Sequence, residues 1–161
     1  MNYSSIKFND IANGDGVRTS LFVSGCRHHC RGCFNKVAWD FNAGEPFTAA
    51  VQERILRSVE PEWISGLSIL GGEPFEPENQ IGLLPFLRKY RSRCPGKSLW
   101  MWTGFIYERD LLAQDGRARC EATDEILWLA DVLVDGPFIE EMKDITLRFR
   151  GSSNQRIIKL R

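Results

Sequence analysis

Three cysteines, Cys26, Cys30 and Cys33, fall within eight residues in Ser24-Gly25-Cys26-Arg27-His28-His29-Cys30-Arg31-Gly32-Cys33-Phe34-Asn35. Five cysteines is an odd number for a disulfide framework, and the C-x3-C-x2-C crowding suits a metal better than paired bridges. Thiolates select iron-sulfur clusters or zinc. A cluster with four iron corners normally takes four cysteines, so three neighbouring ones leave a corner open to a ligand. A structural zinc ion instead wants four protein ligands, usually as two close pairs. That reading needs His28, His29 or a distant cysteine to complete the site, and it stands as the alternative. Cys94 and Cys120 are isolated in sequence and read as buried or incidental thiols, although either could close a four-cysteine cluster.

Three further loops carry groups suited to ligand contact. In Leu70-Gly71-Gly72-Glu73-Pro74-Phe75 two glycines let the backbone approach a ligand closely. Taken alone, Gly-Gly-Glu-Pro is only a turn. Thr103-Gly104 and Asp135-Gly136-Pro137-Phe138 have the same placement after short apolar runs. His28 and His29 are expected to face solvent or a partner. Trp100 and Trp102 alternate, so they share one face of a strand and are read as core.

The elements that must position these loops follow from hydrophobic pattern. Thr19 to Val23, Leu67 to Leu70, Leu99 to Trp102 and Val132 to Val134 are apolar runs that read as buried strands, each ending in a glycine-containing loop. After Thr48, a good N-cap, Val51, Ile55, Leu56 and Val59 recur at helical spacing. A second helix ends near Cys94, before Pro95, and Pro85 either starts or kinks it. A third follows Thr123, with Ile126, Leu127 and Ala130 facing inward. Strands alternating with helices predict an α/β fold with a parallel sheet and ligands at the carboxyl ends of its strands. A complete (β/α) barrel needs about 250 residues, so residues 1–161 are expected to form one domain with a partial (β/α) barrel, open on one side.

Charge is balanced, with 21 basic and 21 acidic residues, so no net field favours nucleic acid or an anionic membrane. No apolar run approaches the roughly 20 residues of a membrane span, and no signal peptide is recognised. A cytoplasmic protein is expected.

The cysteine loop on one strand, followed by Gly71-Gly72-Glu73-Pro74 on the next, resembles the radical S-adenosylmethionine (SAM) superfamily. The resemblance implies a [4Fe-4S] cluster on Cys26, Cys30 and Cys33. Its open iron is chelated by the amino and carboxylate groups of SAM, and one electron yields methionine and a 5'-deoxyadenosyl radical. Gly71 and Gly72 would then present carbonyls to the SAM ammonium, Glu73 would steady that loop or the ammonium, and Thr103 would reach the ribose or carboxylate. Many superfamily members carry an aromatic residue before the third cysteine, where this chain has Gly32; Phe34, after Cys33, is the residue then expected near the adenine. Gly32, Cys33, Phe34, Gly71, Gly72, Glu73 and Thr103 make up the expected cofactor contacts.

Along essentially its whole length the chain is similar to the anaerobic ribonucleotide reductase activating proteins, a branch of the glycyl-radical activases. Asn13-Gly14-Asp15-Gly16-Val17-Arg18, Phe22-Val23-Ser24-Gly25-Cys26, Pro95-Gly96-Lys97, Val134-Asp135-Gly136 and Arg150-Gly151-Ser152-Ser153-Asn154-Gln155-Arg156 carry that similarity. It implies an enzyme that installs a glycyl radical in the large reductase subunit, with flavodoxin or a similar protein as electron donor. No general acid or base is expected beyond the cluster and SAM. The run from Arg150 to Arg156 reads by itself as a polar loop, and neither it nor Asp135 is assigned a role. Another small radical SAM activase or modifying enzyme, and a non-enzymatic zinc or iron-sulfur module, are the alternatives.

Overall fold

A computed structural model describes residues 1–161 as a mixed α/β structure. Its strands are β1 (Asn2–Asp10), β2 (Val17–Val23), β3 (Glu45–Pro46), β4 (Ile64–Gly71), β5 (Ser98–Trp102), β6 (Val132–Asp135) and β7 (Arg156–Lys159). Its helices are α1 (Ala49–Val59), α2 (Pro77–Arg93) and α3 (Thr123–Leu129). The strands form one seven-stranded sheet in the order β3-β1-β2-β4-β5-β6-β7. β2, β4, β5 and β6 pair in parallel, as the apolar runs require. β1, β3 and β7 add antiparallel flanks, so the sheet is mixed, and β3 and β7 are its unjoined edges.

Side chains alternate across the strands, and one face is mostly apolar, with Thr19 hydrogen-bonded to Ser58 of α1 at 2.8 Å. Leu21, Val23, Leu67, Ile69, Leu99, Met101 and Leu133 belong to a 27-residue core cluster with Ile55, Leu56 and Val59 of α1, Leu83, Phe86, Leu87 and Tyr90 of α2, and Ile126 and Leu127 of α3. Each such side chain removed from water stabilises by about 1.5–3 kcal/mol. α1 begins where Thr48 Oγ1 accepts from Val51 N, satisfying one free amide of the first turn.

α2 starts at Pro77, eight residues before Pro85, which lies inside the helix on its exposed side. Proline at the first helical position forfeits no internal bond, and water can reach the carbonyl that Pro85 leaves free. Trp100 and Trp102 do share a face, but it is not the helix-covered core. With Val132, Val134 and Phe149 they form a separate cluster on the other side of the sheet. No helix is long and apolar enough to cross a membrane.

Candidate functional site

The carboxyl ends of β2, β4, β5 and β6 open into a cavity of about 550 Å³, within the range of small-molecule sites. Cys26, Cys30, Gly32, Cys33 and Phe34 line it from the loop after β2, and Gly71, Gly72 and Glu73 from the end of β4. Thr103 follows from β5 and Gly136 from β6, so every residue expected at the cofactor faces this one space. Trp39, Trp102, Phe138, Leu147 and Phe149 supply apolar lining.

The cysteine loop is held at many points. Gly25 N donates to Ala38 O at 2.8 Å and Cys26 N to Trp39 O at 3.1 Å. Arg27 N and Nη1 both donate to the buried Glu76, at 2.8 and 2.6 Å, and Nη2 reaches Glu78 at 2.6 Å. The guanidinium lies over the Phe41 ring, 4.4 Å from its centroid. The loop after β4 is laid directly on this one, with Gly72 N donating to Val23 O and Glu73 N to Gly25 O, both at 2.8 Å. The two glycines are demanded by that contact. Gly71 has φ +111°, and a Cβ on Gly72 would stand 2.6 Å from Gly25 O.

Glu73 is the centre of the arrangement, 1% exposed and surrounded by donors. Its Oε1 accepts from Phe75 N and Thr103 Oγ1, both at 2.8 Å. Its Oε2 accepts from Gly104 N at 2.7 Å and stands 2.8 Å from His28 Nε2. A carboxylate only accepts, so His28 carries the proton at Nε2. Burial works against a charged His28, but the hydrogen bond and charge of Glu73 outweigh it and hold the pKa above the ordinary histidine value.

Glu73 thereby ties the ends of β2, β4 and β5 together, and its four contacts are all made within the chain. The hydroxyl of Thr103 also accepts from Phe105 N at 3.1 Å, so it too is engaged. His28 turns inward to Glu73 instead of toward solvent; His29 is exposed and stacks on Trp39 at 4.5 Å. Phe34 is 89% exposed at the mouth of the cavity.

The thiols are set up for a soft metal group. Burial pushes the Cys26 thiol up to about 12, opposed by the amides of His28 and His29 directed at its sulfur. Burial also raises Cys30, opposed by the amide of Phe138. Iron bound here would have to displace the thiol protons, and the same amides would then be placed to bond the sulfurs. Cys94 lies in the apolar core and Cys120 packs against it, so neither lines the cavity. No three His, Cys, Asp or Glu side chains converge on a point where one ion could sit.

Asn79 gives no signal in sequence, and the structure gives positions to Asp135 and to the run from Arg150 to Arg156, which the sequence leaves without a role. Asn79, buried, donates through Nδ2 to Ser24 O at 3.0 Å and Glu73 O at 2.9 Å, joining the start of α2 and the glycine loop to the cysteine loop 55 positions away. Asp135, buried, accepts from Arg156 Nε and Tyr107 N, each at 2.9 Å, and so ties β6 to β7 and to the turn after β5. The polar segment from Arg150 to Arg156 folds against Gly136 and closes one side of the cavity.

A loop of three cavity-facing thiols at the mouth of a mixed sheet matches what an iron-sulfur protein needs. The family model described as a 4Fe-4S single cluster domain matches residues 12–158. Curated relatives extend the match to the full chain. The anaerobic ribonucleoside-triphosphate reductase-activating protein of Escherichia coli (strain K12) is 43% identical over 163 residues, covering 100% of both chains. That of Pasteurella multocida (strain Pm70) is 43% identical over 99% of this chain and 98% of its own. The protein of the same name from Enterobacteria phage T4 is 34% identical over 98% of this chain and 93% of its own. The chain belongs to the family of anaerobic ribonucleoside-triphosphate reductase-activating proteins.

Proposed function

We propose that residues 1–161 act as one radical SAM domain that activates an anaerobic ribonucleoside-triphosphate reductase by generating its glycyl radical. In this reading Cys26, Cys30 and Cys33 hold a [4Fe-4S] cluster whose fourth iron is left to SAM. The observation that carries it is the cavity where three thiols, and no fourth, meet the Glu73-clamped glycine loop. The open sheet is read as a partial (β/α) barrel of the radical SAM type, and an opening on one side suits a substrate that is itself a loop of a folded protein.

When bound, the cluster and SAM supply one-electron cleavage of a carbon-sulfur bond, giving methionine and a 5'-deoxyadenosyl radical that takes hydrogen from a glycine Cα of the large reductase subunit. The electron comes from flavodoxin or a similar donor.

The chain's own residues bind, orient and exclude water. Gly71 and Gly72 bring backbone to the cofactor without side-chain bulk. Gly32 and Phe34 flank Cys33 at the rim, Gly32 with its own left-handed φ of +72°. Glu73 holds the cysteine loop through His28 and the end of β5 through Thr103 and Gly104. Its role is positioning, since its oxygens are already fully engaged. The aromatic lining would shield the site from solvent and from the oxygen, thiols and reductants dissolved in it.

Anaerobic reconstitution tests the proposal. Reduced protein given SAM is expected to release 5'-deoxyadenosine, and addition of the reductase is expected to give a glycyl-radical EPR signal. Zinc in place of iron and sulfide, or a loaded cluster that leaves SAM intact, would overturn it.

A further inference from the structure

The segment between β6 and β7 holds a cation that the chemistry above leaves unused. Residues 137–155 have almost no regular structure, yet they are braced throughout. Gln155 Oε1 accepts from Gly151 N at 2.8 Å and Ser152 N at 3.2 Å, and its Nε2 donates to Gly136 O at 3.0 Å. Asn154 Nδ2 donates to Pro137 O at 2.8 Å, and Ser152 Oγ accepts from Ile139 N at 3.2 Å. The segment reaches from Cys30, beside the Phe138 amide, to the turn before β2, where Arg148 meets Asp15 at 3.1 Å.

Arg150 sits in this brace, lining the cavity. Its one hydrogen bond runs from Nη1 to Gln155 O at 3.0 Å, and its Nε is buried without an acceptor. Nη2 makes no hydrogen bond within the chain either, so the guanidinium keeps donor capacity at the cavity it lines that no group of the chain uses. Two side-chain atoms of the cavity are orphaned, Arg150 Nε and Trp39 Nε1, and both are donors. Trp39 belongs to the turn that caps the cysteine loop, on the cofactor's side.

We infer that Arg150 is a binding contact for the protein substrate, its guanidinium donating to a main-chain carbonyl oxygen of the glycine-bearing segment. The inference rests on the activase reading. The target residue has no side chain to recognise, so what enters the cavity beside it is backbone, whose carbonyls lose water and need donors. The mouth points to a macromolecule as well. Phe34 and Ile145 both line it while 89% and 90% exposed, an apolar rim that a small polar ligand would not cover.

The test uses iron-loaded Arg150→Ala titrated with a synthetic peptide spanning the reductase's target glycine and with the intact reductase, binding being read by fluorescence anisotropy. Affinity for both is expected to fall about 10- to 100-fold, the loss of one hydrogen bond from a charged donor. Glycyl radical formed per SAM cleaved is expected to fall with it, and Arg150→Lys to recover part of the loss. Unchanged affinity for peptide and reductase, or a loss confined to SAM, overturns the inference. Where Arg150→Ala does not fold, Arg150→Lys carries the titration, with a smaller loss expected and no loss overturning it. An unaltered protein that cleaves no SAM would defeat the activase mechanism instead, while the binding titrations would still decide the role of Arg150.

Discussion

On one face of the sheet Leu21, Leu67, Ile69, Leu99 and Leu133 meet three helices mainly through carbon; on the other, and in the loops that carry β4 and β5 onward, Arg18, Ser20, Ser68, Glu73 and Thr103 are as deeply buried. Arg18 donates to Ser68 Oγ at 2.7 Å, Leu67 O at 2.8 Å, Ser98 Oγ at 2.9 Å and Ser98 O at 2.9 Å, and burial depresses its pKa to about 10. Glu73 gathers donors in the same way near the other end of the strands. The helix-covered face is stabilised by area, which tolerates partial loss. The cavity face depends on directional bonds that fail together when one member is removed.

The sharpest test of this contrast lies in the cysteines. Cys30→Ala is expected to abolish SAM cleavage and to lower bound iron, whereas Cys94→Ala, on the helix-covered face, is expected to keep both; metal analysis and product chromatography read the outcome. Next is Glu73→Ala, which strips the acceptor from His28, Thr103, Gly104 N and Phe75 N. It is expected to cost about 3–5 kcal/mol in denaturant unfolding and to reduce the iron retained per folded chain.

Leu87→Ala is expected to cost about 2–5 kcal/mol, with iron per folded chain unchanged. If it lost iron as readily as Glu73→Ala, the distinction between the faces would collapse.

A smaller effect is expected outside both faces. For Asp110 burial favours the neutral acid, but hydrogen bonds from Arg109 and Ile106 N outweigh it and lower the pKa. A depressed folded-state pKa stabilises above the unfolded value and is lost as pH falls through the folded one. Asp110→Asn is therefore expected to lower Tm at neutral pH, by an amount that shrinks as the pH falls below about 4.

How far the fold and site were legible follows the same division. The four parallel strands announce themselves as apolar runs because both of their faces are buried, and α1 because Thr48 and its apolar stripe agree. β1 escaped notice since its residues, Asn2 to Asp10, are mostly polar and only Tyr3 is buried; as a flank it needs no continuous apolar pattern. β7 and the two-residue β3 are edges as well, and Ile157 and Ile158 look like any short run.

In the site, the cysteines and glycines were legible because local spacing is itself the signal. The bond from His28 to Glu73, 45 positions apart, was not, nor was the burial of Asn79, because each partner is an ordinary polar residue until the chain is folded. That the tryptophans share a face and pack as core was legible; that this face lies opposite the helices was not. Alternation shows that two residues share a face without showing which one the helices cover.

The clasp between Arg27 and the first turn of α2 has a consequence for maintenance of the enzyme. Small zinc domains fold only when the ion arrives. Here the bends of the thiol-bearing loop are set by Glu76, Glu78 and the backbone of Ala38 and Trp39, none of which depends on iron. Were the cluster lost, these bonds would still hold the loop's bends, and resupplying iron and sulfide is expected to refill the site without refolding the protein.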